Sequence, residues 1–459
     1  MGKHRSLAEY NANNAWLYNG TNGNVNNNNK YNSNGVRPVL ESDYVDTDSL
    51  SRCFIPLQEW YDVYRLCRRN CNRKTLHLHF RADFLKNIVE LCNDVGGMEY
   101  VPRQGVCFVI TRPRLREVIA ADFADKMVQT WYCERVMPLL EKYCLHEDSY
   151  ACRKGKGGLR AVLRLQDYVF EASNGYTTDV WLAKVDFKGF FMSIDTKTAT
   201  DELSEFIVER TDGELRNWLL WMTRIIYLSQ PQLHCRMQSP MWMEYQLPEH
   251  KRMLGREGYE GIAIGNRTSQ MLALFRTTFF LSLLVGMGYK FVLYTDDCCV
   301  VVTDKAKWLA DRRRLALMVR EKGLTLHPDK VYLQHYSKGV EMLGYKLRFG
   351  RMLPSDRIVH NFKWKTQCAA RRLEARANWY DLEGLQQTVN SYLGLLGWCN
   401  SYRLRRDTLE TLKNGVCGRF YDFAEDYTKI TIKTPYKRVM HFVRANNERK
   451  RSYKLWLKS

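Results

Sequence analysis

Two stretches of this sequence end apolar, β-prone runs in carboxylates. Phe291-Val292-Leu293-Tyr294 and Cys298-Cys299-Val300-Val301-Val302 flank the polar step Thr295-Asp296-Asp297. That is the pattern of a β-hairpin with two acidic residues at its tip. Lys184-Val185-Asp186-Phe187 closes another apolar run in the same way. Aspartate at a turn is ordinary turn chemistry; the second carboxylate-ended strand provides another use for it. Placed beside the hairpin, Asp186 and Asp296 would hold two Mg²⁺ ions about 3.5–4 Å apart. Mg²⁺ prefers hard oxygen ligands together with substrate phosphates. Such a site suits in-line attack of a 3′-hydroxyl on a nucleoside triphosphate.

The elements around these residues resemble a family. Tyr294-Thr295-Asp296-Asp297 is similar to the Y-x-D-D box of reverse transcriptases, and Asp186 resembles their first metal-binding aspartate. The order of the motifs fits the palm of a right-hand polymerase, over roughly residues 50–420. The resemblance implies an α+β fold with mixed fingers, an antiparallel-sheet palm and a helical thumb. It implies RNA-templated DNA synthesis with two Mg²⁺ ions held by Asp186, Asp296, Asp297 and the Phe187 carbonyl.

Composition fits such a partner. The 459 residues carry a net charge of +20, and a chain this basic usually meets a polyanion. No stretch approaches the roughly 18 consecutive apolar residues of a membrane helix, and no signal peptide is visible, so no membrane role is expected. Fourteen scattered cysteines read as reduced thiols of a cytoplasmic protein. Cys67, Cys71, His77 and His79 are zinc-capable, but His-x-His is too tight for a common structural site, so buried thiols and surface imidazoles are expected.

Along the chain, residues 1–45 form an Asn-rich leader too poor in core residues to fold alone. The leader is similar to the variable end of the lectin-like target proteins of diversity-generating retroelements, in which an adenine-rich template repeat specifies such Asn codons. Residues 46–180 are expected to be fingers. They include helices within 52–92, a strand at Val106–Ile110, and the block Leu115–Lys126, which resembles the first conserved block of reverse-transcriptase fingers. There Arg116 would reach the phosphates of the incoming nucleotide; the alternative is a solvated arginine. The basic, Gly-rich loop with Arg153, Lys154 and Lys156 lacks P-loop order and suits contact with a template or primer backbone.

Residues 181–350 read as palm, with a finger insertion at about 211–262. Phe191, five residues after Asp186, stands where the family places a bulky ring that excludes a 2′-hydroxyl; the alternative is a core phenylalanine. Helices at about 198–210 and 215–227 are expected behind the palm sheet. Ile264-Gly265-Asn266-Arg267-Thr268-Ser269-Gln270 departs from the commoner pattern, which has Gln before the glycine and Pro after the serine. Ile264, Gly265 and Gln270 in this form resemble the enzymes of diversity-generating retroelements specifically. Lys330 is similar to the lysine near the leaving pyrophosphate, and Glu341–Leu347 to the primer-grip hairpin. Residues 351–430 read as a helical thumb, in which Arg371, Arg372, Arg376, Arg403, Arg405 and Arg406 would face a duplex. Residues 431–459 form a basic tail.

The resemblance implies template RNA, an RNA/DNA duplex and deoxynucleoside triphosphates as partners, with a small basic oligomeric accessory protein. It also implies a bacterial or phage origin. A group II-like or defence-associated reverse transcriptase without diversification is one alternative, and an RNA-binding scaffold with an inactive palm is another.

Overall fold

The computed structural model describes residues 55–439 except 70, 72–74, 112–113, 328–331 and 376–377. In the Asn-rich leader it describes only the backbone of three short antiparallel strands, β1 (His4–Arg5), β2 (Asn14–Tyr18) and β3 (Val25–Asn29). The strands that follow are β4 (Val106–Ile110), β5 (Arg116–Ala120), β6 (Trp181–Asp186), β7 (Arg236–Met237), β8 (Lys290–Tyr294), β9 (Asp297–Val302) and β10 (Tyr332–His335). The chain divides into two compact units, 1–152 with 187–287 and 312–327, and 153–186 with 288–311 and 328–459.

The first unit is mainly helical. Leu57–Arg68 starts after Pro56 and buries Trp60, Tyr61, Val63, Tyr64 and Cys67, an apolar face at helical spacing. These residues meet the helix Phe123–Tyr143, where Trp60 stacks on Trp131 with ring centroids 6.3 Å apart. Asp122 caps that helix by accepting from the Ala124 N–H. The core helix is Arg267–Gly286, with Met271, Leu272, Leu274, Phe280, Leu281 and Leu284 buried. Among the described residues it is the one helix long and apolar enough to cross a membrane, but 56% of its apolar window is buried inside the protein. Arg276 on it pairs with Glu202. Thr196–Arg210 and Gly213–Leu228, expected behind the palm sheet, pack on each other, and the first also packs on the core helix. In the same unit β4 pairs antiparallel with β5 and parallel with β7.

The second unit is built on a four-stranded antiparallel sheet in the order β10-β6-β9-β8. The helix that lies on this sheet is Gly158–Ala172, through Ala161, Val162, Leu165, Tyr168 and Val169. Alternation along each strand sends Val185, Ala183, Cys298 and Val300 to one face, all fully buried. Lys184, Asp186 and Asp297 leave from the other and are only half-buried. A second sheet, Val340–Met342, Tyr345–Arg348 and Arg351–Pro354, contains the hairpin expected at 341–347. The helices Asp356–Ala375, Trp379–Leu396 and Tyr402–Asn414 follow, with the stripe of Leu385, Val389 and Leu396 in their core.

Candidate active site

Asp186 ends β6, Asp297 begins β9, and the two are direct partners in the antiparallel ladder. Residues so paired project from one face with Cβ atoms roughly 4.5–5.5 Å apart. Tyr294 pairs with Asp297, so the hairpin is closed by only two residues, Thr295 and Asp296. Thr295 has φ +60°. Tight hairpins need a positive φ at this first loop position and usually place glycine there. A β-branched residue in that region carries about 1–3 kcal/mol of strain, so the acidic tip is a constrained turn.

Like charges directly opposite one another weaken a sheet. Lys184 answers this. It lies two residues before Asp186, hence on the same face, and its Nζ is 2.9 Å from Asp297 Oδ1 and 3.1 Å from Oδ2. Its ladder partners are Cys299 on β9 and Tyr332 on β10. Burial alone would lower the pKa of this ammonium, but the Asp297 charge and hydrogen bond outweigh it and the net direction is upward. Sequence reasoning missed Lys184, although its offset of two from Asp186 was a usable signal.

No three His, Cys, Asp or Glu side chains converge as a metal-binding group among the described residues. Asp186, Asp296 and Asp297 do offer the hard oxygen donors that Mg²⁺ takes, so the fit is one of donor type. Lys330, expected at the leaving pyrophosphate, lies outside the described residues. Phe187, expected to lend its carbonyl, is 2% exposed, bridges to Leu326, and packs its ring against Phe190 and Phe280.

The nucleotide-side residues belong to the first unit. Arg116 is exposed at the start of β5, opposite Ile110. The Ile119 N–H donates to the Ile264 carbonyl at 2.8 Å, so this loop borders β5. Gly265 follows with φ +131°, and a Cβ there would lie 2.7 Å from the Ile119 carbonyl oxygen and 2.8 Å from Val118 Cγ1. The close approach that Gly265 allows here is to the protein's own β5. The Ile264 side chain is half-buried. Gln270 is exposed and accepts a hydrogen bond from the Cys152 thiol at 3.1 Å. Phe191 is half-buried and edge-on to Phe190, while Phe190, 3% exposed, takes the core position.

Next to Arg116, Glu117 points inward and accepts from the Met253 N–H at 3.1 Å and the Leu254 N–H at 3.2 Å. Burial, followed by the neighbouring Glu244 carboxyl, pushes Glu117 up to about 7 from an ordinary 4.5. A carboxyl kept protonated in the fold contributes fully below pH 4.5, and that stability is lost as pH rises through about 7. Glu244→Gln puts an amide donor against Glu117 and removes the like charge. It is expected to raise stability at pH 8 by about 1–3 kcal/mol and to leave it near the wild-type value at pH 4.5. Thermal unfolding at the two pH values checks this; an equal shift at both means the pair is not titrating.

A family model described as "Reverse transcriptase (RNA-dependent DNA polymerase)" matches residues 113–347, just over half of the 459. The chain belongs to the reverse transcriptase family. The match spans Arg116, Asp186, Phe191, Ile264 and both hairpin aspartates. The mixed α and β right-hand polymerase fold expected from the motif order is the fold of this reverse transcriptase. No curated protein sequence matches it. Among solved structures it is similar to telomerase from Candida tropicalis in complex with a TWJ fragment of telomeric RNA, at 11% identity and TM-score 0.40, covering 68% of this chain and 55% of that one. It is likewise similar to the apo telomerase, at 10% identity and TM-score 0.42, covering 68% of this chain and 58% of that one. This chain thus spans little more than half the length of those proteins.

The basic residues of this reverse transcriptase divide. Arg153 and Lys156 are half-buried and Lys154 exposed in the loop before Gly158–Ala172. Arg371 and Arg372 on Asp356–Ala375 and Arg403 on Tyr402–Asn414 are exposed. Arg405, expected on a duplex-facing surface, is 9% exposed and donates from Nη1 to the carbonyls of Asp426 and Tyr427 at 3.0 and 3.1 Å; it braces the fold. Arg406 is exposed and pairs with the adjacent Asp407 at 2.9 Å. Arg376 lies outside the described residues. Of the zinc-capable group, Cys67, Cys71 and His77 are buried and His79 is exposed: the Cys67 thiol donates to Thr130 Oγ1 at 3.2 Å, Lys126 Nζ donates to Cys71 Sγ at 2.7 Å, and His77 lies 3.3 Å from the Tyr64 hydroxyl.

Proposed function

We propose that this reverse transcriptase is an RNA-directed DNA polymerase of a diversity-generating retroelement, copying a template RNA into cDNA with errors concentrated at template adenines. The observation that carries the polymerase reading is the ladder pairing of Asp186 with Asp297, beside Asp296 in a constrained two-residue turn. Asp186, Asp296 and Asp297 would hold the metal, with the Phe187 carbonyl as a further donor. Bound Mg²⁺ would polarise the phosphoryl oxygens and lower the pKa of the attacking hydroxyl. Arg116 binds the triphosphate, and Lys330 steadies the leaving pyrophosphate. Arg153, Lys154, Lys156, Arg371, Arg372 and Arg403 contact nucleic-acid backbone. The partners are the template RNA, the RNA/DNA duplex, deoxynucleoside triphosphates and a small basic accessory protein, in a bacterial or phage-infected cytoplasm.

Diversification rests on the Ile264 form of the motif. A Gln at 264 would hydrogen-bond beneath the incoming sugar and hold its geometry, and such a bond contributes about 0.5–1.5 kcal/mol, a few-fold to tenfold in selectivity. Ile264 can neither donate nor accept. Purified protein with its accessory partner, extending a primer on its own RNA, is expected to misincorporate mainly opposite adenine. Ile264→Gln should lower that error rate several-fold with synthesis intact. Sequencing cDNA from both proteins tests it: no extension at all rejects the polymerase reading, and a flat error spectrum rejects diversification alone.

Phe191 discriminates the sugar by steric exclusion. Its half-buried ring, with Phe190 in the core beside it, supports this role. Phe191→Ala should raise ribonucleotide relative to deoxynucleotide incorporation by tenfold or more, read from the two kcat/KM values. An unchanged ratio assigns the ring to packing.

A further inference from the structure

Lys184 is a charged, largely covered side chain beside the three aspartates, and neither the sequence motif nor the chemistry above gives it a task. Its ammonium contacts both oxygens of Asp297. The Lys184 and Asp297 side chains are 19% and 31% exposed, so solvent screens the pair only partly. Asp297 faces Asp186 across the ladder, and Asp296 immediately precedes it. Two carboxylates facing each other across the ladder, without a counter-charge, would repel one another and strain the β6–β9 pairing that sets their register. One cation is already built into the strand at that point. It occupies the carboxylate that a metal would need.

We propose that Lys184 is a positioning residue that acts as a resident counter-ion: it neutralises and aims Asp297 before metal arrives, and it competes with Mg²⁺ for that carboxylate. The inference rests on the polymerase reading of the aspartates and adds a regulator of metal occupancy to it. Two effects follow. Without metal, the lysine keeps Asp186 and Asp297 in register. With metal, Asp297 must exchange an ammonium for Mg²⁺, so the lysine raises the Mg²⁺ concentration needed to fill the site. The two effects have opposite signs, which separates this role from simple packing.

The test measures metal binding on the full-length protein without substrate. Wild type, Lys184→Met, Lys184→Arg and Asp297→Asn are titrated with Mg²⁺, following the thermal unfolding midpoint and, independently, displacement of bound Mn²⁺ by its electron paramagnetic resonance signal. Lys184→Met should unfold at lower temperature without metal, yet half-saturate at about fivefold lower Mg²⁺, because the competing cation is gone. Lys184→Arg should restore the wild-type half-saturation. In the Asp297→Asn background, Lys184→Met should no longer move it, since the partner of the exchange is missing. If Lys184→Met does not fold, Lys184→Gln gives the same reading with a polar, uncharged chain. An unchanged Mg²⁺ half-saturation in the neutral variants, or an equal shift with Asp297→Asn present, overturns the proposal. Primer extension by wild type separates the two readings: if it extends and the midpoints do not move, only the counter-ion role fails, and if it never extends, the polymerase reading fails by itself.

Discussion

Asp186→Asn is expected to reduce primer extension at least about a thousandfold, consistent with the several kcal/mol that metal-bound charge supplies, while RNA binding and thermal stability hold. The side chain keeps its shape and loses its charge. In the metal-free protein, that loss also relieves the facing of Asp186 on Asp297, and Asp297 keeps Lys184 as its partner. Asp297→Asn is expected to lose the activity as well but to behave differently as a fold. It leaves a largely covered ammonium with an amide in place of a carboxylate, and it should cost about 1–3 kcal/mol of stability. Parallel measurement of extension rate, RNA affinity and unfolding midpoint checks the contrast. Extension near the wild-type rate by Asp186→Asn would put the chemistry elsewhere. Equal stability losses in the two variants would remove the Lys184–Asp297 pair from the account.

Gly265→Ala should be among the most damaging single-methyl changes in the chain. The backbone there has φ +131°, which L side chains rarely adopt, and the new methyl would lie 2.7 Å from the Ile119 carbonyl oxygen. Neither that carbonyl nor the loop can move cheaply, because the Ile119 N–H is bonded to Ile264 and the Ala121 N–H to Asn266 Oδ1 at 3.1 Å. Strain and overpacking together should cost about 3 kcal/mol or more and push the loop away from β5. Gly384→Ala serves as the control. It lies inside the helix Trp379–Leu396 with nothing within 4 Å of a new Cβ, and no positive φ is seen there. That change should stabilise by about 1 kcal/mol. Chemical denaturation of both variants gives the comparison, and a mild effect at Gly265 would mean that the loop does not depend on its contact with β5.

The sequence alone determined the elements whose signals are local. The continuous apolar, β-prone runs around Thr295-Asp296-Asp297 read as a hairpin, the run before Asp186 reads as a strand, and the stripe through Leu385, Val389 and Leu396 reads as a helix face; the structure forms each of them. Each signal lies within a few turns or a few strand residues, where side-chain periodicity and turn chemistry act directly. What pairs with what was decided by tertiary structure. Lys184 and Asp297 are 113 positions apart, and only the β6–β9 register, in which a slip of one residue would reverse every side chain, brings them into contact. Arg405 looks the same in sequence as the exposed Arg403, yet the carbonyls of Asp426 and Tyr427 draw it inside. Gly265 carries a sign of close approach in its residue type alone, but the surface it approaches, β5, comes from more than a hundred residues earlier in the chain. A sequence window records which face a residue is on; the partner it finds there depends on how distant segments align, because contact energies act through space rather than along the chain.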